Sequence, residues 1–504
     1  MANNSQISYN NIQNDVQNHN QRKFSNQSYE NNIKNVLGTN QINQKESLQT
    51  TDKQTNDQQI RFRQNQSSAD EDKNIYKNEK QHNDNLKKDK VKQNVNYDTV
   101  LTLTGFGNYQ FAFYLIMIFL GMAEGSQISI FTLLIPILKN EWQVHDFLNS
   151  FSASVVFVGA LFGSLLAGKF SDKYGRRTPF MYSTGMTVFL QLFQAFCLDI
   201  YQLIIVRGIL GVLVGFFGPL GVTFTSEFTP SQNRGRYMSI IQVSIAIGQM
   251  FGLLIGYLTL DGNLQFGHWR ILIIICSVPG IMAWLGGYFF LDESPLFCLA
   301  NKQYDKCFEI LERINIINGQ QNIQQLDETM KTQLVQWSKN SHKQQQTGSI
   351  KDLYQGKYKQ VTLIIWANWF SIMFVYYGIV LMMPYILSKM PPQESSSITN
   401  NDITMLGIQG VSDMIGAAIA SYLIEIPGFG RTNNMIINLL ISGFVSIILY
   451  YYQGYQLFLI ATIDRFFLSL TTVFAYQFTS EVYPTHIRTT GVGTANAVGK
   501  VGGF

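Results

Sequence analysis

The chain has 504 residues, of which 46% are hydrophobic and 14% charged, with a formal net charge of +4 at pH 7. So small a positive excess on so long a chain argues against a nucleic-acid partner. The four cysteines, Cys197, Cys276, Cys298 and Cys307, have spacings that fit neither a disulfide framework nor a zinc site, and no metal or cofactor is expected.

Residues 1–100 are crowded with Asn, Gln, Lys and Asp and contain no apolar run. Such a segment cannot bury enough surface to offset its ordering entropy, and a disordered, solvated tail is expected. It lacks the basic start and apolar core of a signal peptide. From Phe111 onward, apolar stretches of about 20 residues follow one another, the length a membrane-spanning helix requires. Helices are predicted near Phe111–Leu138, Asn149–Phe170, Met181–Leu198, Leu203–Thr223, Tyr237–Leu260 and Ile271–Leu291. A charged linker over 292–360 follows, with a short amphipathic helix near Tyr304–Ile317. The second group is predicted near Val361–Leu387, Thr404–Ile424, Met435–Tyr452 and Leu457–Phe478, and an eleventh helix begins near Gly491. That helix would reach Phe504 short of a full span, so the expected plan is 6+6 helices with the end of the second half missing.

Charge distribution orients the chain. Lys169, Lys173, Arg176 and Arg177 share one loop, Arg234 and Arg236 another, and many lysines lie between Asp292 and Lys359, whereas the alternate loops carry few cations. Basic loops stay on the cytoplasmic side, so the N-terminus, the central linker and the Gly168–Arg177 loop are expected there. The two groups also repeat. Glu481 in TSEVYP lies 254 positions after Glu227 in TSEFTP, and Gly430-Arg431 lies 255 after Gly175-Arg176. Two unrelated markers at nearly one offset indicate a parallel duplication, giving pseudo-symmetric halves at 101–291 and 361–504. Glu425 stands for Asp172 in a degraded second copy of the first loop motif.

GKFSDKYGRR (Gly168–Arg177) resembles the loop between the second and third helices of major facilitator superfamily transporters. GFGNYQ (Gly105–Gln110), GMAEGSQ (Gly121–Gln127), SVVFVGALFG (Ser154–Gly163), LIIWANWFSIMFVYYGIVL (Leu363–Leu381) and TSEVYPTHIRTTGVGT (Thr479–Thr494) resemble the branch of synaptic-vesicle-2-related proteins, organic-ion transporters and sugar porters. This resemblance implies an all-α membrane protein with the major facilitator 6+6 bundle. It further implies a secondary active transporter of a small organic solute, an organic ion or sugar-like, working by alternating access and coupled to protons. The expected partners are that solute, protons and membrane lipid, in the plasma membrane or a vesicle. The rival readings are a non-transporting vesicle or nutrient-sensing membrane protein and an inactive incomplete product. No catalytic constellation stands out, so no enzyme is expected.

An intramembrane acid faces a cavity and is functional by default, which singles out Glu124 in the first helix. The resembling proteins carry a second acid three residues later, where this chain has Gln127. Asp413 in the eighth helix stands where they often carry Glu, and Lys500 where related organic-ion transporters have a cation linked with anionic substrates. Lys500 has a second reading, as an ion-pair partner of Glu124 or Asp413. Gln242 has the spacing of a sugar-contacting Gln in sugar porters, and Gln249 adds a second amide deeper along the same helix. Trp366, Trp369, Phe370, Tyr376 and Tyr377 are candidate cavity walls, with Trp366 and Tyr376 favoured. The gating set is Gly168, Asp172, Gly175, Arg176, Arg177, Arg207, Glu227, Arg234, Glu425, Arg431, Arg465, Glu481 and Arg488. Within it, Arg207 and Arg465 are read chiefly as structural donors, and the glycines of RGILGVLVG (Arg207–Gly215) as packing residues.

Overall fold

The computed structural model describes residues 96–230, 234–260, 268–319, 328–342, 350–354, 358–388, 400–424, 431–452, 454–483 and 485–504, and within these it contains helices and no strands. The Asn/Gln-rich segment up to residue 95 and Glu425 lie outside them. A short α1 (Tyr97–Leu103), capped by Asn96, leads into α2 (Asn108–Trp142). The Gln110 side chain accepts from the Gly107 N–H at 3.1 Å and so closes the start of α2. α3 (Asp146–Tyr174) and α4 (Arg177–Gln194) follow.

The fourth predicted span is two helices, α5 (Ile200–Gly215) and α6 (Phe217–Phe228), and the sixth likewise splits after α7 (Arg234–Thr259) into α8 (Trp269–Cys276) and α9 (Val278–Phe290). At each joint the ladder tightens: Phe216 N–H donates to Leu213 O at 3.1 Å and Ser277 N–H to Ile274 O at 3.2 Å. Pro219 and Pro279 lie just beyond, and without an N–H neither can continue the ladder four residues back. Continuous hydropathy hides such breaks.

The linker is largely helical where described: α10 (Pro295–Ala300), α11 (Tyr304–Ile317), α12 (Glu328–His342) and α13 (Ile350–Leu353). α11 coincides with the predicted amphipathic helix and buries Cys307, Ile310, Leu311 and Ile314. Asn318 ties it to the bundle, accepting from Tyr109 N–H at 3.0 Å and donating to Thr104 O at 3.1 Å and Gln110 Oε1 at 2.9 Å.

The second half comprises α14 (Tyr358–Ser388), α15 (Asn400–Leu423), α16 (Arg431–Leu449), α17 (Gly454–Val482) and α18 (Thr485–Gly503). The last helix begins six residues before the predicted start, because its polar opening turn is helical though not apolar. Its 19 residues reach roughly 28 Å at 1.5 Å each, close to the thickness of a hydrocarbon core. Among the described residues, nine helical segments are long and apolar enough to cross a membrane. This is a multi-pass membrane fold.

In the first half α2 packs on α7, α3 on α5, and α9 on α2 and α4; in the second, α14 packs on α18 and α17 on α15 and α16. The halves meet along two seams, α3 with α18 and α7 with α15. Close approach depends on small residues. A Cβ on Gly125 would overlap the Ile245 carbonyl, and one on Gly248 the Met122 carbonyl, so α2 and α7 touch backbone to backbone. Gly211 and Gly215 likewise lie against the Val156 and Ala160 backbones, consistent with a packing role.

Candidate functional site

The tight α2–α7 contact places Glu124, between Gly121 and Gly125, on the inner wall of the bundle. Three adjoining cavities share it. One of roughly 650 Å³ runs toward the Arg176 end between Gly121, Phe217, Met238 and Gln242. A central one of roughly 580 Å³ is lined by Gln242, Gln249, Tyr376, Tyr377, Asp413, Tyr476 and Lys500. The third, roughly 550 Å³, lies among Gln127, Phe131, Phe157, Arg207, Tyr377 and Lys500.

Lys500 on α18 approaches Glu124 from the other half, with Nζ 4.0 Å from Oε1. The Tyr377 ring lies 5.8 Å from the ammonium. Both side chains are largely withdrawn from solvent, at 10% exposure for Lys500 and 20% for Glu124. Of the two carboxylates named as ion-pair partners for Lys500, Glu124 is the one that faces it, while Asp413 pairs with Arg465.

A second network closes around Arg465 on α17. Its Nη2 pairs with Asp413 Oδ2, its Nε donates to Asp413 Oδ1 at 3.2 Å, and its Nη1 donates to Gln409 Oε1 at 3.2 Å. Nη2 also donates to Gln249 Oε1 at 3.0 Å, across the seam. Gln249 Nε2 donates to the Tyr376 hydroxyl at 2.6 Å, which donates to Asp413 Oδ2 at 3.2 Å. The buried pair is thereby satisfied from four helices, as a charge in low dielectric requires. Asp464, next to Arg465, accepts from Ser442 and Ser446 at 2.6 Å each and joins α16 to α17.

Arg207, on α5, is treated differently by its surroundings. It is 1% exposed, lies over the Phe131 ring and donates from Nη2 to Ala153 O at 3.3 Å. No carboxylate pairs with it among the described residues, and its Nε has no hydrogen-bond partner.

At the loop end, Gly175 adopts φ +90°, a conformation that favours glycine, and the turn presents the Arg176 and Arg177 N–H groups to Glu293 Oε1 at 2.7 and 3.2 Å. The Arg176 guanidinium reaches Glu227 at 3.0 Å from both Nε and Nη2, and Asp172 Oδ1 at 3.2 Å from Nη1. Burial works against its charge, but the flanking carboxylates outweigh that and raise its pKa above the ordinary arginine range. Arg177 Nη2 donates to Tyr288 O at 3.2 Å. The cluster ties α3, α4, α6 and the turn before α10 together inside the first half. None of these recorded contacts reaches the second half.

The structure thus gathers Glu124, Gln127, Gln242, Gln249, Tyr376, Asp413 and Lys500 around adjoining cavities. Trp366 does not belong with them. It packs edge-on against Tyr354 with ring centroids 5.6 Å apart, and ten residues of helix separate it from Tyr376, about 15 Å along the axis. Arg207, grouped above with the gating residues, lines the third cavity, and Arg465, also in that group, pairs with Asp413 on the wall of the central one. Gly168 lies on α3 one helical turn before Asp172. Glu481 accepts from Gln477 Nε2 at 3.0 Å, and Arg488 is half-buried on α18. The side chains of Arg234 and Arg431 lie outside the described residues. Sequence reasoning missed Gln409, Tyr476 and Glu293; the acidic turn Asp292–Pro295 was the available signal for Glu293, while Gln409 and Tyr476 carried none.

The architecture matches solved structures of the proton:xylose symporter XylE from E. coli, bound to 6-bromo-6-deoxy-D-glucose, at a TM-score of 0.63 and 19% identity over 78% of this chain and 86% of that one. The curated Synaptic vesicle 2-related protein of Xenopus laevis is 28% identical over 79% of this chain and 72% of its own length. Organic cation/carnitine transporter 7 of Arabidopsis thaliana is 27% identical over 81% of this chain and 86% of its own. The pattern of the "Sugar (and other) transporter" family matches residues 56–504, and the chain belongs to that family of membrane transporters.

Proposed function

We propose that this protein is a secondary active transporter of a small organic solute that works by alternating access and is coupled to protons through Glu124. The observation that carries the reading is the Glu124–Lys500 pair, 4.0 Å apart, joining the two halves where three cavities meet. Protonation of Glu124 removes the attraction across α2 and α18, so proton occupancy and the contact between halves become one equilibrium. The polar walls offered by Gln242 and Gln249 orient a solute in the same space. A relative named for organic cation and carnitine transport and a fold neighbour named a proton:xylose symporter are consistent with proton-coupled transport of an organic solute.

The Arg176–Glu227–Glu293 cluster then acts as a brace within the first half, keeping α3, α4 and α6 moving as one body while the seams rearrange. The test is proton entry into proteoliposomes holding purified protein and a trapped pH dye. A panel of sugars, organic cations and organic anions is added outside. Solute-dependent acidification in the wild type, absent in Glu124→Gln, is expected. Equal acidification by Glu124→Gln would remove that residue from the coupling.

A further inference from the structure

The charges around the central and third cavities do not balance. Asp413 is neutralised by Arg465, and Glu124 faces Lys500, which leaves Arg207 as an uncompensated cation among the described residues lining these spaces. An isolated guanidinium in a low-dielectric interior is costly, and it attracts whatever anion can reach it. Its equivalent in the repeat, Arg465, has a carboxylate and two amides; Arg207 has one carbonyl and a ring face. Beside it, Gln127 is 6% exposed, and neither its Nε2 nor its Oε1 has a hydrogen-bond partner. Buried polar atoms without partners are uncommon, and two neighbouring residues in that state around one cavity mark a place built for a ligand's polar group.

We propose that Arg207, Gln127 and Lys500 form the carboxylate-binding end of the solute site, so that the transported class is small monocarboxylates with a compact apolar body. This rests on the transport reading above and narrows it. A planar carboxylate matches the fork of a guanidinium, accepts from the Gln127 amide, and supplies the one negative charge that the cavity lacks. The rest of the third cavity is apolar, with Phe131, Phe157 and Tyr377 on its walls, which suits a hydrocarbon or aromatic body rather than a second charge or a polyol. Glu124 stands in the same cavity, so uptake of its proton makes the site more positive and favours the anion. Proton and carboxylate then enter together with no net charge.

The test is thermal unfolding of the full chain in detergent with acetate, butyrate, benzoate and cyclohexanecarboxylate. Benzamide, benzylamine and xylose serve as uncharged, cationic and polyol controls. A rise in the unfolding midpoint with one or more carboxylates, and none with the controls, is expected. Arg207→Gln should weaken that carboxylate by at least about tenfold, the loss of a charge-assisted hydrogen bond, and Gln127→Leu by less. Glu124→Gln should keep or strengthen the response. Without ligand, Arg207→Gln should unfold no earlier than the wild type; Arg207→Lys, which keeps the charge, covers the case in which the glutamine variant does not fold. No response to any carboxylate, an equal response to benzamide, or full carboxylate binding by Arg207→Gln would overturn the proposal. Failure of the transport reading shows separately, as cysteines placed at Gly218 and at Phe151 that never exchange accessibility between the two membrane faces.

Discussion

Gln249 on α7 donates to the Tyr376 hydroxyl on α14 at 2.6 Å while accepting from Arg465 on α17 at 3.0 Å, so one amide of the first half holds two helices of the second. Tyr376→Phe removes the acceptor for Gln249 Nε2 and a donor to Asp413. The expected cost is about 1.5–3 kcal/mol of stability, the range for hydrogen bonds to a charged group. The seam should also open more often, read as faster labelling of a cysteine at Ser469 on the cavity wall. Unchanged labelling and melting would show that the bridge contributes nothing.

Glu227 is the centre of the loop-end brace. Glu227→Ala leaves the buried Arg176 guanidinium with the half-exposed Asp172 as its carboxylate contact and the Ser171 carbonyl as a neutral acceptor, and breaking such a pair costs about 3–5 kcal/mol. The variant should unfold well below the wild type in a melting series. Arg176→Lys loses the two-point contact and should fall between them. Because the pKa of Arg176 is raised, its stabilising charge is complete below the ordinary arginine range and is lost only above it. Melting should therefore not decline through this group on moving from neutral to moderately alkaline pH.

The α2–α7 seam predicts a contrast between two glycines. A methyl group at Gly125 overlaps the Ile245 carbonyl, whereas one at Gly221 meets nothing within 4 Å. Gly125→Ala should destabilise by about 1–3 kcal/mol as an overpacked contact, and Gly221→Ala should be tolerated. Size-exclusion profiles and melting of the two variants decide it; equal behaviour would count against backbone contact between α2 and α7.

Cys298 and Cys307 are fully buried where α10 meets α11, and burial pushes the Cys298 thiol up to about 11. Burial is also the chief cause that raises Cys307. The neutral thiol is then the folded form, and stability from keeping it neutral is present below the ordinary thiol range and lost as pH rises toward 11. Iodoacetamide should leave both residues unmodified at neutral pH until the linker unfolds. Modification at the rate of a free thiol would show that α10–α12 open readily.

The membrane class, the helices, the amphipathic α11 and the two-fold repeat were legible in the chain, because each depends on composition or spacing within a short window. An apolar run of about 20 residues has few alternatives to a span, and an intramembrane acid must find a cavity wherever its helix goes. Glu124, Asp413 and Lys500 could therefore be singled out, though not which of them would pair. Lys500 chose Glu124 and Asp413 chose Arg465 through helix rotations fixed by packing at glycines and by the two seams. Gln249 and Arg465 lie 216 positions apart, and nothing local to either announces the other. Trp366 and Tyr376 illustrate the same limit within one helix: both are apolar-helix aromatics in the sequence, and only the register of α14 against its neighbours separates a cavity wall from a peripheral contact. That Arg207 meets no carboxylate among the described residues is the furthest from the sequence, because it depends on which carboxylates the tertiary fold leaves out of reach.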